Sequence, residues 1–187
     1  MEQLDAFDKA LREFDTRVHE VGPRQWDAAT PCTEWSVRDL VNHVTGEHLW
    51  APWLLRGATL AEVGDRYDGD VLGDDPVRVW EGATADSRDA FHAAGALDGR
   101  VHVTGGRIAA SEYGWQMISD LTVHAWDLAR GIGADDRLDE DLVREVYDRI
   151  APQVPNWQGS GMFAAPVEVP DDARTQDRLV GLLGRKP

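Results

Sequence analysis

The chain has 187 residues, with 34 acidic against 19 basic side chains and a formal net charge of −15. That length suits one domain with a proper core, while the charge disfavours nucleic-acid phosphates and anionic membrane surfaces, both of which reward clustered Lys and Arg. There is no run of about 18 apolar residues and no charged-then-apolar leader, and the single cysteine, Cys32, excludes an internal disulfide, so a soluble cytoplasmic protein is expected.

The spacing of Leu4, Phe7, Leu11, Phe14 and Val18 predicts a first helix from Glu2 to Val21, stopped by Gly22 and Pro23. Ser36, three residues before Asp39, resembles a capping box and opens a second helix that runs to Leu55. Gly57 to Asp75 holds four glycines and six acidic residues around a short apolar patch at Leu60 to Val63, the composition of a long surface loop with one helical turn. Asp75 followed by Pro76 starts a third helix, expected to end near Ala96. Between Leu97 and Ala110 the alternating Val101 and Val103 and the Gly105-Gly106 break predict a short extended segment across the end of a bundle. A fourth helix follows from Ser111 to Arg130, ended by Gly131, and Asp139 caps a fifth that carries Leu142, Val146 and Ile150. From Asn156 to Pro187 the pattern is mixed, with a final short helix over Arg174 to Leu183. Four substantial helices plus a fifth, joined partly by long connections and with no internal repeat, make an all-α bundle the expected architecture of residues 1–187 as a single domain.

The fourth helix carries the chemistry. Tyr113, Met117, Leu121 and Leu128 form an apolar stripe, and Asp120 and His124 fall in or beside it, one turn apart. A carboxylate turned toward an apolar interior needs a partner, whether a divalent cation, another histidine or a basic side chain. Residues four apart can share one ion, each giving a single donor atom, so a third ligand has to come from another element. The second helix supplies His43, Glu47 and His48. On a helical wheel His48 lies near the centre of the Val37, Leu40, Val41, Val44 face, Glu47 at its edge and His43 further off, so periodicity alone does not choose among them.

Three stretches together carry a resemblance: Thr30-Pro-Cys-Thr-Glu-Trp-Ser-Val-Arg-Asp-Leu-Val-Asn-His43, Asp120-Leu-Thr-Val-His124-Ala-Trp-Asp-Leu-Ala-Arg, and the closing Arg178-Leu-Val-Gly-Leu-Leu-Gly-Arg. The chain resembles an actinobacterial family of uncharacterised metal-binding proteins, similar to the metal-binding domain of mycothiol-dependent maleylpyruvate isomerase and, more distantly, to DinB and YfiT-like bundle proteins. The resemblance implies a DinB-like four-helix bundle with a divalent metal, zinc first and nickel second, held by His43, Asp120 and His124. It also implies mycothiol or a similar low-molecular-weight thiol as cosubstrate and a small electrophile as substrate. Where the isomerase has glutamate at the acidic position this chain has the shorter Asp120, and no counterpart of the isomerase's further C-terminal domain precedes Pro187, so the isomerase activity itself is not carried over.

Three ligands leave a zinc ion one open position, the pattern of a catalytic centre, and Glu47, one turn past His43, is a candidate general base or outer acceptor. The alternatives are a bundle that binds metal or a metabolite without catalysis, and a metal-dependent hydrolase using water. Four of the eight tryptophans, Trp35, Trp50, Trp53 and Trp126, lie near the polar cluster in sequence, where packing is the expected role. Cys32 reads as structural, His48 as a core histidine with a backbone partner, and His19, His92 and His102 as surface or packing residues, while Asp127, three residues after His124, is placed to orient that imidazole, although a straight helix turns it outward, the preferred reading. DinB-like bundles often pair into homodimers, and surface tryptophans permit it, but no heptad seam here demands it.

Overall fold

The computed structural model describes residues 1–157 and 164–187, and of Trp157 the backbone alone. Its long helices are α1 (Gln3–Glu20), α2 (Val37–Leu55), α4 (Pro76–His92) and α5 (Ala110–Ile132). They pack in the cyclic order α1, α5, α2, α4 with α4 returning to α1, which makes a four-helix bundle. The one-turn α3 (Leu60–Val63) lies in the loop after α2, while α6 (Glu140–Ile150) and α8 (Thr175–Leu182) pack on each other, with α6 also against α5, and the one-turn α7 (Val154–Trp157) follows α6. Residues 158–163 of the mixed tail lie outside the described residues.

The local chemistry at the helix starts is what the sequence leads one to expect. The Ser36 hydroxyl accepts from the Asp39 amide and the Asp39 carboxylate accepts from the Ser36 amide, a reciprocal box worth about 1 kcal/mol. Thr59 and Glu62 repeat that arrangement at α3, Asp75 caps α4 ahead of Pro76, and Asp139 caps α6. The core runs along the bundle axis through Phe7, Phe14, Leu40, Trp80, Phe91, Ile118, Leu121 and Leu128, each contributing about 1.5–3 kcal/mol by leaving water. Trp80 keeps its indole N–H satisfied by donating to Asp15 at 2.9 Å.

Three boundaries differ from the pattern. Residues Leu97 to Ala110 hold an antiparallel hairpin, β1 (Arg100–Val103) and β2 (Gly106–Ala109), rather than one extended segment, because Thr104 and Gly105 close a two-residue turn. The fourth α-helix of the bundle does not stop at Gly131 but at Ile132, with Gly133 in the left-handed conformation as its cap. Gly131 instead serves packing: a Cβ there would come within 3.1 Å of Thr30 and 3.2 Å of Val37, so its absence lets the loop before α2 lie against α5. Likewise α4 ends at His92, ahead of a turn in which Gly95 takes φ +76°.

From Leu121 to Ala129 every residue of α5 is buried. This helix has α1 and α2 on one side and α6 on another, so it has no solvent face there. Among the described residues, no helix is long and apolar enough to cross a membrane.

Candidate metal centre

The packing of α2 against α5 brings one helical turn of each together. His43 and Glu47 are one turn apart on α2, Asp120 and His124 one turn apart on α5. Asp120 divides its carboxylate between the two imidazoles: Oδ2 is 3.4 Å from His43 Nε2 and Oδ1 is 3.3 Å from His124 Nε2. One donor atom from each of His43, Asp120 and His124 lies within 4.8 Å of the others. Asp120 and His43 each keep 32 % of their side-chain surface exposed while His124 keeps 9 %, so the group opens outward on one side.

His124 uses both ring nitrogens. Its Nδ1 is 3.0 Å from Asp127 Oδ2, and Asp127 also accepts two hydrogen bonds from Arg185, at 3.2 Å from Nε and 2.8 Å from Nη2. Asp127 is therefore not outward-facing but completely buried, because α5 has no outer face at that level. Cys32 with His124 and Asp127 forms a second set of donor atoms within 4.8 Å. Both Asp127 oxygens are already committed to Arg185 and His124, so that set is not free to take an ion.

The charges couple strongly. Burial disfavours the Asp120 carboxylate, yet the two histidines outweigh it and hold its pKa well below the usual carboxylate range. Burial pulls His124 down, but Asp120 and Asp127 win and raise it to about 9. His43 is raised for the same reason, with Asp120 outweighing burial. Glu47 moves the other way: burial and the Asp120 charge push its pKa up, against a smaller pull from His43, and no hydrogen bond offsets them. Burial also raises the Cys32 thiol, with Arg185 opposing, which fits a structural role better than a nucleophilic one.

Trp35 forms the wall, its ring centroid 4.8 Å from His43 and 5.7 Å from His124. It is delivered by the loop that Gly131 admits, through Glu34 at φ +75° and hydrogen bonds from the Thr30 hydroxyl and amide to the Trp35 carbonyl. Of the other tryptophans singled out, Trp126 is core, and Trp50 and Trp53 pack with Tyr67 further along α2. None of the described tryptophans is an exposed surface residue, Trp53 and Trp115 being covered by the guanidinium groups of Arg66 and Arg149.

His48 faces away from the cluster, fully buried among Phe7 and Trp80. Its partner is the Ser87 hydroxyl at 2.9 Å rather than a backbone group. His19 and His92 also have partners, Asp15 with Glu81 and Asp8 respectively. The charged clefts beside α1, lined by Lys9, Arg12, Glu13, Asp139 and Glu145 among others, share no residue with the centre.

Sequence reasoning missed Arg185 and preferred an outward face for Asp127 over the contact with His124 that the structure has. The signal for Asp127 was its place three residues after His124, one turn along; nothing local announced that Arg185 reaches across 58 positions to meet it.

Residues 7–129 match the family model described as the mycothiol maleylpyruvate isomerase N-terminal domain. The chain belongs to this family. Two uncharacterised proteins of Mycobacterium tuberculosis, from strains CDC 1551 and H37Rv, are each 29 % identical over 191 residues, covering 99 % of this chain and 98 % of theirs. Crystal structures of the mycothiol-dependent maleylpyruvate isomerase share the fold: a histidine-to-alanine variant superposes with a TM-score of 0.70 at 15 % identity, and a second structure of the isomerase with 0.66 at 16 %. Each match covers 92 % of this chain and 76 % of the isomerase chain. The DinB-like bundle expected from the resemblance is thus the fold of this family member.

Proposed function

We propose that this protein is a metal-dependent enzyme of the isomerase or transferase type that handles a low-molecular-weight thiol such as mycothiol together with a small electrophile. His43, Asp120 and His124 hold the divalent cation, with zinc ahead of nickel. The residues fit such an ion. Two imidazole nitrogens and a carboxylate oxygen are donors zinc accepts, and one donor atom from each of the three residues lies within 4.8 Å of the others. A divalent cation bound there supplies Lewis acidity, which brings the deprotonation of a thiol or water toward neutral pH.

The observation that carries the reading is Glu47. It is a carboxyl group one turn past His43 on α2, outside the three-donor group but near enough to feel the charges of Asp120 and His43, with a raised pKa and no hydrogen bond of its own among the described residues. A carboxyl in that condition is suited to taking a proton from an incoming thiol and returning it to the product, since a raised pKa brings acid and base forms closer in energy. Trp35 shields the imidazoles on one side and supplies an apolar surface against which an unsaturated substrate can rest. The Asp120 side, a third exposed, is the approach.

The test is a titration of metal-free protein with zinc, followed by thiol consumption against a panel of electrophiles. One equivalent bound, lost in His124→Ala, and turnover that requires both metal and thiol are the expected results. In Glu47→Gln turnover falls by about 10²–10⁴-fold, the usual contribution of a general base, while zinc affinity is nearly kept. Turnover with metal but no thiol would make the protein a hydrolase, and metal-dependent melting without turnover would make it a binding bundle.

A further inference from the structure

The closing segment Arg178–Arg185 has no part in the three-donor group, yet its last residue is buried beside it. The α8 helix ends at Leu182, and Gly184 takes φ +82°, turning the chain so that Arg185 is only 7 % exposed. The turn is closed by the Arg185 amide bonding the Val180 carbonyl at 2.9 Å, and a Cβ on Gly184 would lie 2.6 Å from Ala164. A left-handed residue pressed this closely admits glycine alone. Val167 bonds the Gly181 carbonyl at 2.8 Å and fixes α8 against the preceding strand of chain. The segment is shaped to deliver one guanidinium to one place.

That place is Asp127. Arg185 grips both of its oxygens, and the same carboxylate contacts His124 Nδ1 at 3.0 Å. A carboxylate held ionised by a bidentate arginine is an acceptor only, so the proton between it and the imidazole belongs to Nδ1. With Nδ1 held protonated, the proton the ring gives up to a cation is the one on Nε2, the atom that faces Asp120. We propose that Asp127 and Arg185 are positioning residues that fix the tautomer and orientation of His124, so that the C-terminal turn sets how well the centre takes a cation.

This rests on the metal reading above for its consequence but not for its geometry, and the two can be tested apart. With imidazole-labelled protein, ¹⁵N NMR of the metal-free wild type is expected to show a slowly exchanging His124 Nδ1 proton. In Asp127→Asn that proton is lost, because the amide can turn its NH₂ toward Nδ1 and drive the ring proton to Nε2. Competition against a chelator then gives zinc affinity, expected to fall about 10- to 100-fold in Asp127→Asn, the range for partners behind a ligand histidine. Arg185→Lys keeps the charge but not the two-pronged grip, so it folds and falls less far, which guards against an Asp127→Asn variant that does not fold. A wild type without the protected Nδ1 proton, or a folded Asp127→Asn protein within about threefold of wild-type affinity, overturns the proposal. If the wild type binds no zinc, the metal reading fails and the NMR experiment alone decides the tautomer assignment.

Discussion

Trp35 lies over His43 with ring centroids 4.8 Å apart and planes inclined at 46°. The same indole is 5.7 Å from His124, so one side chain covers two of the three candidate donors. Removing it exposes both imidazoles and their contacts with Asp120 to water. Aromatic contacts of this kind contribute about 0.5–1.5 kcal/mol, so Trp35→Ala is expected to weaken zinc binding by roughly 2- to 10-fold, with Trp35→Phe recovering most of the loss. Chelator competition on the three proteins checks this; equal affinities would mean the indole is only packing.

Metal binding should depend steeply on pH. In the metal-free protein His124 is raised to about 9, so it holds its proton through neutrality, and a cation has to displace it. Apparent affinity therefore rises from pH 6 toward 9 by up to about tenfold per unit for each proton released, then levels. The metal-free fold responds with the opposite sign. A raised histidine contributes its stability fully below about 6.5, its unfolded pKa, and loses it as pH climbs through about 9. Proton release measured by calorimetry in two buffers of different ionisation enthalpy tests the first statement, and melting of metal-free protein between pH 6 and 10 the second.

His48 behaves in the reverse manner. Complete burial lowers its pKa to about 3, with Asp120 a weak opposing influence, so it is neutral in the fold and titrates near 6.5 once unfolded. A histidine depressed in this way gives its full contribution above about 6.5 and loses it as pH falls toward about 3, at up to about 1.4 kcal/mol per unit. His48→Leu removes that dependence, and Ser87 is left free to bond back to its own helix. Urea unfolding of both proteins at pH 7 and pH 5 should show the wild type losing more stability on acidification than the variant.

Two helical glycines should answer alanine with opposite signs. At Gly82, inside α4, a Cβ meets nothing within 4 Å, and alanine is expected to stabilise by about 0.5–1 kcal/mol through helix propensity. At Gly131 the new methyl meets Thr30 at 3.1 Å and Val37 at 3.2 Å, and an overpacking penalty of about 1–3 kcal/mol exceeds the same gain. Gly131→Ala also pushes on the loop that carries Trp35, so its zinc affinity should drop along with its melting temperature, whereas Gly82→Ala leaves affinity alone.

Helix starts were legible because their determinants are local: Ser36 with Asp39, Asp75 with Pro76 and Asp139 each announce themselves within four residues. The pairing of Asp120 with His124 was legible for the same reason, as a one-turn interval beside an apolar stripe. The choice of His43 over His48 was not, since the wheel placed His48 nearest the core and the structure shows why that says nothing about a site: the core-centred histidine is sealed between Phe7 and Trp80 while the off-centre one reaches the gap facing α5. Family resemblance supplied that residue. An outward face was preferred for Asp127 because a bundle helix ordinarily keeps a solvent side, whereas α5 is buried at every residue from Leu121 to Ala129, and Arg185 was invisible because its role depends on a turn far along the chain. Gly131 looked like a stop because a glycine in a helical pattern signals either an end or a close approach, and only the contact with Thr30 and Val37 distinguishes them.

The imidazole at position 124 is engaged along both edges of one rigid five-membered ring, by Asp127 on one and Asp120 on the other. Amide and thiol side chains can imitate one of those edges but not two at fixed opposite bearings. In a library of all substitutions at this codon, histidine should stand alone, whereas the acidic neighbour one turn earlier, which touches its partners from one end only, has room for exchange.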